Sequence, residues 1–326
     1  MSTSILVTGG AGYIGSHVTH KLFDIGYQPI VVDNLTTGFS AALPDKCLVV
    51  GDYGDRKLIE KLIKKHQIDT IMHFAANTVV SESVADPLRY YYNNAIKTHP
   101  LLETAVRMNI KEFILSSTAA VYGIPDPPCV SEDSPTNPIN PYGASKLMTE
   151  WMLRDTAAIA SLRYVTLRYF NVAGSDPTGR IGQSTPGATL LIKVACEASL
   201  GKRQFVSIFG TDYPTPDGTG IRDYIHVEDL STAHLNALDY LRRGGESVTL
   251  NCGYGHGFSV REVLCAVQRV SGKRLDIREA SRRSGDPPIL IARADRIKEV
   301  LKWTPKHDSL ESIIQSSLNW ERSRRY

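Results

Sequence analysis

The sequence has no long apolar run, no Cys-x-x-Cys pair and no excess of either charge. The first absence removes a membrane-spanning helix, which needs about 20 apolar residues in succession. The five cysteines (Cys47, Cys129, Cys196, Cys252, Cys265) are odd in number and widely spaced. That argues against a disulfide scaffold or a cysteine-rich zinc site; no metal site is expected, and a reducing compartment fits. Lys and Arg number 37 against 34 Asp and Glu, a balance that gives no sign of a nucleic-acid-binding face. Only Arg322, Arg324 and Arg325 are locally basic, and they read as a solvated end. Met-Ser-Thr-Ser runs straight into Ile5-Leu6-Val7-Thr8, so no signal peptide is expected. Together these absences predict a cytoplasmic globular protein. With 42% hydrophobic residues in 326, it can bury one large or two medium cores.

What is present is alternation. Ser4–Thr8 reads as a strand, Tyr13–Ile25 as a helix and Pro29–Asp33 as a second strand. Cys47–Val50, Thr70–Phe74, Phe113–Ser116 and Tyr164–Arg168 are further buried-strand candidates with helical patterns between most of them. Strand–helix alternation predicts an α/β protein with a parallel sheet covered on both faces. Six prolines between Gly123 and Pro141 predict a loop without regular structure, and Gly174–Gly187 is a second irregular stretch. A boundary is expected near Ala173, giving units 1–173 and 174–326. Residues 222–251 are candidates for return to the first unit, with Val248–Asn251 as a strand of its sheet.

Thr8-Gly9-Gly10-Ala11-Gly12-Tyr13-Ile14-Gly15 joins the first strand to the first helix. In this spacing Gly9 makes the tight turn, Gly12 admits a pyrophosphate close to the backbone, and Gly15 allows tight helix packing. The helix N-terminus offers free N–H groups to phosphates. Asp33 follows Gly15 by 18 residues, where a carboxylate accepts hydrogen bonds from an adenosine ribose and repels a 2′-phosphate. No Arg or Lys lies in Asn34–Phe39, so NAD is favoured over NADP.

Ser116-Ser117-Thr118 ends an apolar strand, where open α/β sheets bind ligands. Tyr142 and Lys146 stand four apart at a helix start in Pro141-Tyr-Gly-Ala-Ser-Lys, hence on one face. A phenol with pKa about 10 is a poor base at neutral pH. A positive charge about 4 Å away is worth about 4 kcal/mol at an effective dielectric of about 20, enough to bring the phenol into a useful range.

Val7-Thr8-Gly9-Gly10-Ala11-Gly12-Tyr13-Ile14-Gly15-Ser16-His17, Asp33-Asn34-Leu35, His73-Phe74-Ala75-Ala76 and Tyr142-Gly-Ala-Ser-Lys146 resemble the extended short-chain dehydrogenase/reductases. Arg168-Tyr169-Phe170-Asn171, Phe209-Gly-Thr-Asp-Tyr213-Pro and Asp217-Gly-Thr-Gly-Ile-Arg222-Asp-Tyr224-Ile-His226-Val resemble the UDP-glucose 4-epimerase family within them. The resemblance runs over nearly the whole chain, through Gly285-Asp286-Pro287. It implies a Rossmann-type doubly wound parallel sheet with a smaller mixed α/β C-terminal substrate domain. It also implies bound NAD, a UDP-sugar substrate and a homodimer, with Tyr90, Tyr91, Leu101 and Leu102 supplying a buried stripe between subunits.

By this resemblance Gly9, Gly12, Tyr13, Ile14 and Gly15 hold the pyrophosphate, Asp33 and Asn34 the ribose, and Asp52 and Tyr53 flank the adenine. Phe74, Ala75, Ala76, Asn93, Ser116 and Tyr169 line the nicotinamide half, with Lys146 on its ribose. Tyr142 is the base, assisted by Thr118. Asn171, Thr189, Phe209, Arg222, Tyr224, Arg283 and Asp286 contact the nucleotide diphosphate side, and Leu290 the sugar. Two positions depart from the family: Thr78 where some members have a lysine, and Leu290 where many have Tyr, Cys or Ser. The implied reaction is C4 inversion of UDP-glucose and UDP-galactose through a 4-keto sugar. Rival readings are a UDP-pentose or UDP-N-acetylhexosamine 4-epimerase, and an inactive cofactor-sensing module. A 4,6-dehydratase is disfavoured, because Ala119-Ala120 follows Thr118 where that family has Asp-Glu.

Overall fold

The first half of the chain repeats one unit, an apolar strand followed by an amphipathic helix, and a computed structural model shows how the repeats assemble. It describes residues 3–324 and 326; Met1, Ser2 and Arg325 of the basic end lie outside the described residues. In order come β1 (Ser4–Thr8), α1 (Tyr13–Asp24), β2 (Gln28–Asp33), β3 (Leu48–Val50), α2 (Arg56–His66) and β4 (Thr70–His73). Then follow α3 (Val80–Ala85), α4 (Pro87–Tyr90), α5 (Thr98–Arg107), β5 (Glu112–Thr118), β6 (Cys129–Val130), α6 (Pro141–Ile159), β7 (Arg163–Tyr169) and β8 (Asn171–Ala173).

The remainder comprises α7 (Leu191–Ser199), β9 (Val206–Phe209), β10 (Ile221–Arg222), β11 (Tyr224–His226), α8 (Val227–Arg242), β12 (Val248–Cys252) and β13 (Phe258–Ser259). It ends with α9 (Val260–Ser271), β14 (Ile277–Ala280), β15 (Ile289–Ala292), α10 (Asp295–Leu301) and α11 (Leu310–Ser323). Among the described residues no helix is long and apolar enough to cross a membrane.

Seven strands form the main sheet in the order β12-β7-β5-β4-β1-β2-β3, and every pairing is parallel. This is the expected doubly wound Rossmann-type sheet. β1, β4 and β5 are buried along their whole length, as strands with helices over both faces must be. Side chains alternate between two cores: Ile5 and Val7 pack with Val18, Leu22 and Val31, whereas Leu6 packs with Ile30, Val32, Ile59 and Ile71. Chain order reverses between β1 and β4, so the loops leaving their carboxyl ends diverge and open a crevice. β12 joins this sheet beside β7, and α8 packs against α1, β5 and β7. The later residues otherwise build a four-stranded sheet, β13-β10-β15-β6, and two-stranded pairs β11-β8 and β14-β9.

Two expectations need correction. The proline-rich segment holds a short strand after all: Cys129 and Val130 pair in parallel with Ile291 and Ala292. Proline does not prevent this, because Pro128 takes part through its carbonyl, which accepts from Ile291 N–H at 3.1 Å. The second correction concerns the apolar stripe. Tyr90, Leu101 and Leu102 are buried within the chain itself, and Leu101 and Leu102 belong to the core under the sheet. The backbone of Tyr91–Ile96 is a π-helical turn, which shifts the phase of the side chains around it. Leu88, Tyr92 and Ile96 on this stretch are exposed instead, as are Met148, Trp151 and Ile159 on α6. Tyr92, Ile96 and Met148 line one groove.

Candidate active site

The crevice at the carboxyl ends of the strands is a cavity of about 690 Å³. Its floor is the turn between β1 and α1. Gly9 has φ +72°, and a Cβ there would lie 2.5 Å from the Ala75 nitrogen, so only glycine lets the two loops meet. Gly12 is the N-cap of α1 and no side chain caps it, leaving the first-turn N–H groups beside the cavity lined by Tyr13, Ile14 and Gly15. Asp33 accepts from Ala11 N–H at 3.0 Å and Leu35 N–H at 2.8 Å, which fixes its carboxylate at the end of β2. Burial pushes its pKa up while those two bonds oppose the rise. An uncapped helix end, a glycine turn and a fixed carboxylate fit a dinucleotide.

The reactive side chains come from β5 and α6. Asn140 caps α6 by accepting from Gly143 N–H at 2.8 Å, and Pro141 starts its first turn. A Cβ on Gly143 would come within 2.5 Å of the Ala120 carbonyl oxygen. The helix can therefore approach the turn after β5 closely enough for Tyr142 and Thr118 to line one cavity. Sequence reading gave Gly143 no role of its own; its signal was a glycine at the third position of a helix. Asn94 supports the same turn: its amide donates to Ser145 Oγ at 3.0 Å and its carbonyl accepts from Thr149 Oγ1 at 3.1 Å.

The electrostatics differ from expectation. Burial pushes the Tyr142 phenol above its ordinary value of 10, and the lowering influence is the Thr118 hydrogen bond rather than the Lys146 charge. Lys146 is itself so desolvated that its pKa falls to about 8, with Glu150 opposing the fall. Among the described residues none hydrogen-bonds its ammonium, and Lys146 is buried beneath the cavity rather than among the residues that line it. Burial also drives His73 well below 6.5, with Lys146 adding to the effect, and His73 instead shares a 2.6 Å hydrogen bond with Thr8.

The cavity brings together Asn34, Tyr53, Phe74, Ala75, Ala76, Asn93, Ser116, Thr118, Tyr142, Tyr169, Asn171, Arg222, Asp286 and Leu290. Ser116 and Tyr169 share a 2.8 Å hydrogen bond on its wall. Arg222 donates to the Ile221 and Pro288 carbonyls, and Leu290 is its register partner on β15. Several expected residues lie elsewhere. Asp52 lines the adjoining groove and is held by Lys97 at 2.5 Å. Arg283 stacks its guanidinium over Phe209, 3.7 Å from the ring centroid, and neither lines the cavity. Tyr224 is buried in β11, paired with Asn171. Thr189 is exposed, while its neighbours Ala188 and Leu190 line the cavity. Val79, Glu82, Arg89, Tyr90 and Gln183 also line it, and no motif had marked them.

Comparison with known proteins places this arrangement in context. The model of the NAD dependent epimerase/dehydratase family matches residues 5–253. A UDP-glucose 4-epimerase of Azospirillum brasilense is 57% identical over 99% of this chain and 93% of its own. A UDP-glucose 4-epimerase of Brucella ovis, solved with NAD, superposes with a TM-score of 0.93 at 40% identity, covering 97% of both chains. A UDP-Glc/GlcNAc 4-epimerase of Campylobacter jejuni gives 0.85 at 48% identity, covering 99% of this chain and 100% of its own.

The depressed pKa of Lys146 has a measurable sign. Between pH 8 and 10.5 the folded chain binds fewer protons at this site than the unfolded chain, so its contribution to stability rises with pH. With both proteins free of nucleotide, the melting temperature of wild type should gain on that of Lys146→Met as pH rises through this window. Parallel pH profiles would show that the ammonium is not desolvated.

Proposed function

This chain belongs to the NAD-dependent epimerase/dehydratase family, and from that premise we propose that it interconverts UDP-glucose and UDP-galactose with Tyr142 as the base. It is an NAD-dependent 4-epimerase, and inversion proceeds through a 4-keto sugar. The observation that carries the residue assignment is that Tyr142 and Thr118 line the same cavity as the glycine turn and Asp33.

Gly9, Gly12, Tyr13, Ile14 and Gly15 hold the cofactor pyrophosphate and Asp33 and Asn34 its ribose. Tyr53 flanks the adenine, with Asp52 reaching it from the adjoining groove. Phe74, Ala75, Ala76, Asn93, Ser116 and Tyr169 surround the nicotinamide half, and Lys146 binds the ribose there. When bound, NAD accepts the C4 hydride and returns it to the opposite face of the keto sugar. Tyr142 takes the 4-hydroxyl proton, assisted by the Thr118 hydroxyl, and later gives it back. Arg222 and Arg283, with Asn171, hold the nucleotide diphosphate while the sugar turns, so the intermediate stays in the cavity, and Asp286 on the cavity wall accepts from substrate hydroxyls. Arg283 and Phe209 complete the uridine side, with Tyr224 backing Asn171 and Thr189 at the rim. We take residues 1–173 together with 222–251 as the NAD-binding unit, supported by β12 in the main sheet, and the rest of 174–326 as the sugar-nucleotide unit. Five free cysteines support a cytoplasmic setting.

Purified protein should convert UDP-galactose to UDP-glucose without added NAD, and Tyr142→Phe should lose about 10²–10⁴ in kcat while keeping NAD bound. A loss under about tenfold, worth only ~1.4 kcal/mol, would show that another group is the base.

Substrate choice rests on Leu290, which is buried on the cavity wall. It offers no donor to an acetamide carbonyl, whose unpaired burial costs about 1–3 kcal/mol. The likeness to the Campylobacter enzyme favours a second reading in which N-acetylated sugars are equal substrates. We expect kcat/KM for UDP-galactose to exceed that for its N-acetyl analogue, and Leu290→Ser to narrow the gap. Equal values in wild type would show that Leu290 does not select.

The chain pairs as a homodimer through the exposed side chains Leu88, Tyr92, Ile96, Met148 and Trp151, an apolar set spread over two adjacent helical stretches. Light scattering should return twice the 35.9 kDa chain mass, falling toward one chain in Ile96→Glu. A wild-type monomer at micromolar concentration rules this out.

A further inference from the structure

Tyr142 and Lys146 continue along α6 to a third polar residue at the same four-residue spacing, Glu150, which is buried. Buried carboxylates are costly unless paired, and this one is paired on every side. Arg168 of β7 approaches in a fork, with Nε 3.1 Å from both carboxylate oxygens and Nη2 2.6 Å from Oε2. The Ser117 hydroxyl of β5 donates to Oε1. Arg168 is braced in turn: Nη1 donates to the Tyr122 hydroxyl at 3.0 Å, and Tyr122 donates to Asn251 Oδ1 of β12 at 2.7 Å. Ser117 and Arg168 are register partners, as are Thr118 and Tyr169 beside them. One carboxylate thus ties α6 to both strands, one residue from Thr118 and two helical turns from Tyr142.

We propose that Glu150, clamped by Arg168 and Ser117, is a positioning residue of the epimerase reaction, setting the phenol of Tyr142 against the hydroxyl of Thr118. The proposal rests on Tyr142 and Thr118 being the proton-transferring pair. The register of α6 against β5 decides how the two hydroxyls stand toward each other in the cavity, and small misplacements of reacting groups cost large factors in rate. The carboxylate has a second effect through charge. Near it lie Arg168 and Tyr164 of β7, Tyr122 of the turn after β5, and Lys146 on its own helix. Lys146 faces Glu150 and, from β4, His73. Glu150 is the group on this list that favours the protonated ammonium, while its own oxygens are held by Arg168 and Ser117.

Glu150→Gln preserves the size of the side chain and removes its charge. In the NAD-loaded enzyme, kcat should fall about tenfold or more with KM for UDP-galactose within about twofold, and the alkaline limb of kcat should move to lower pH. Ser117→Ala leaves both charges paired and should lower kcat about three- to fivefold with an unchanged melting temperature. Wild-type kcat and pH limb in folded Glu150→Gln, or wild-type kcat in Ser117→Ala if the former does not fold, overturns the proposal. So does a change confined to KM. Tyr142→Phe run alongside separates the failures: if it is inactive while the clamp variants behave as wild type, only the clamp is wrong. An active Tyr142→Phe removes the catalytic reading on which the clamp depends.

Discussion

The first turn of α6 lies against the turn that follows β5 with no room at position 143 for even a methyl group, and the site is built outward from that approach. Without it the Tyr142 phenol and the Thr118 hydroxyl, which belong to different elements, would not line one cavity. The parallel sheet supplies the other half of the constraint. Its chain reversal between β1 and β4 opens the crevice into which the glycine turn, the end of β5 and the start of α6 all face. Binding and reacting groups meet because strand ends and helix starts lie on one side of such a sheet.

Burial gives these groups their chemical character. Lys146 carries its charge in a place where water scarcely reaches, and its proton is correspondingly easy to lose. Tyr142 experiences the same desolvation with the opposite consequence, since burial disfavours the phenolate. A tyrosine base in this setting depends on favourable charge arriving with the ligand as well as on its own helix. The paired Glu150 and Arg168 beneath them show how the chain carries charge into this region, in a fork with every oxygen occupied.

Much of this was legible beforehand. The strands of the main sheet, the glycine turn, Asp33, and the Tyr142–Lys146 spacing all rest on local patterns, periods of two or 3.6 and residues with singular backbone needs, although β3 at the sheet edge is not buried as its apolar run suggested. The parts that were not legible depend on partners distant in the chain. The strand at Cys129–Val130 exists because Ile291–Ala292 lies beside it, whatever its prolines suggest. Tyr90, Leu101 and Leu102 face the chain's own interior rather than a partner, which depends on what packs over them and not on their apolar count.

The sequence by itself determined the class of fold and the cofactor and marked the candidate reacting residues, because each is written in short stretches whose geometry is local. Only the tertiary structure decided which side chains share the cavity, that Asp52 is tied to Lys97 in a neighbouring groove, and that Arg283 stacks on Phe209 beside it. It also decided the state of the catalytic pair. A pKa depends on desolvation by residues scattered through the chain, and spacing along a helix carries no information about how much water the fold leaves around it.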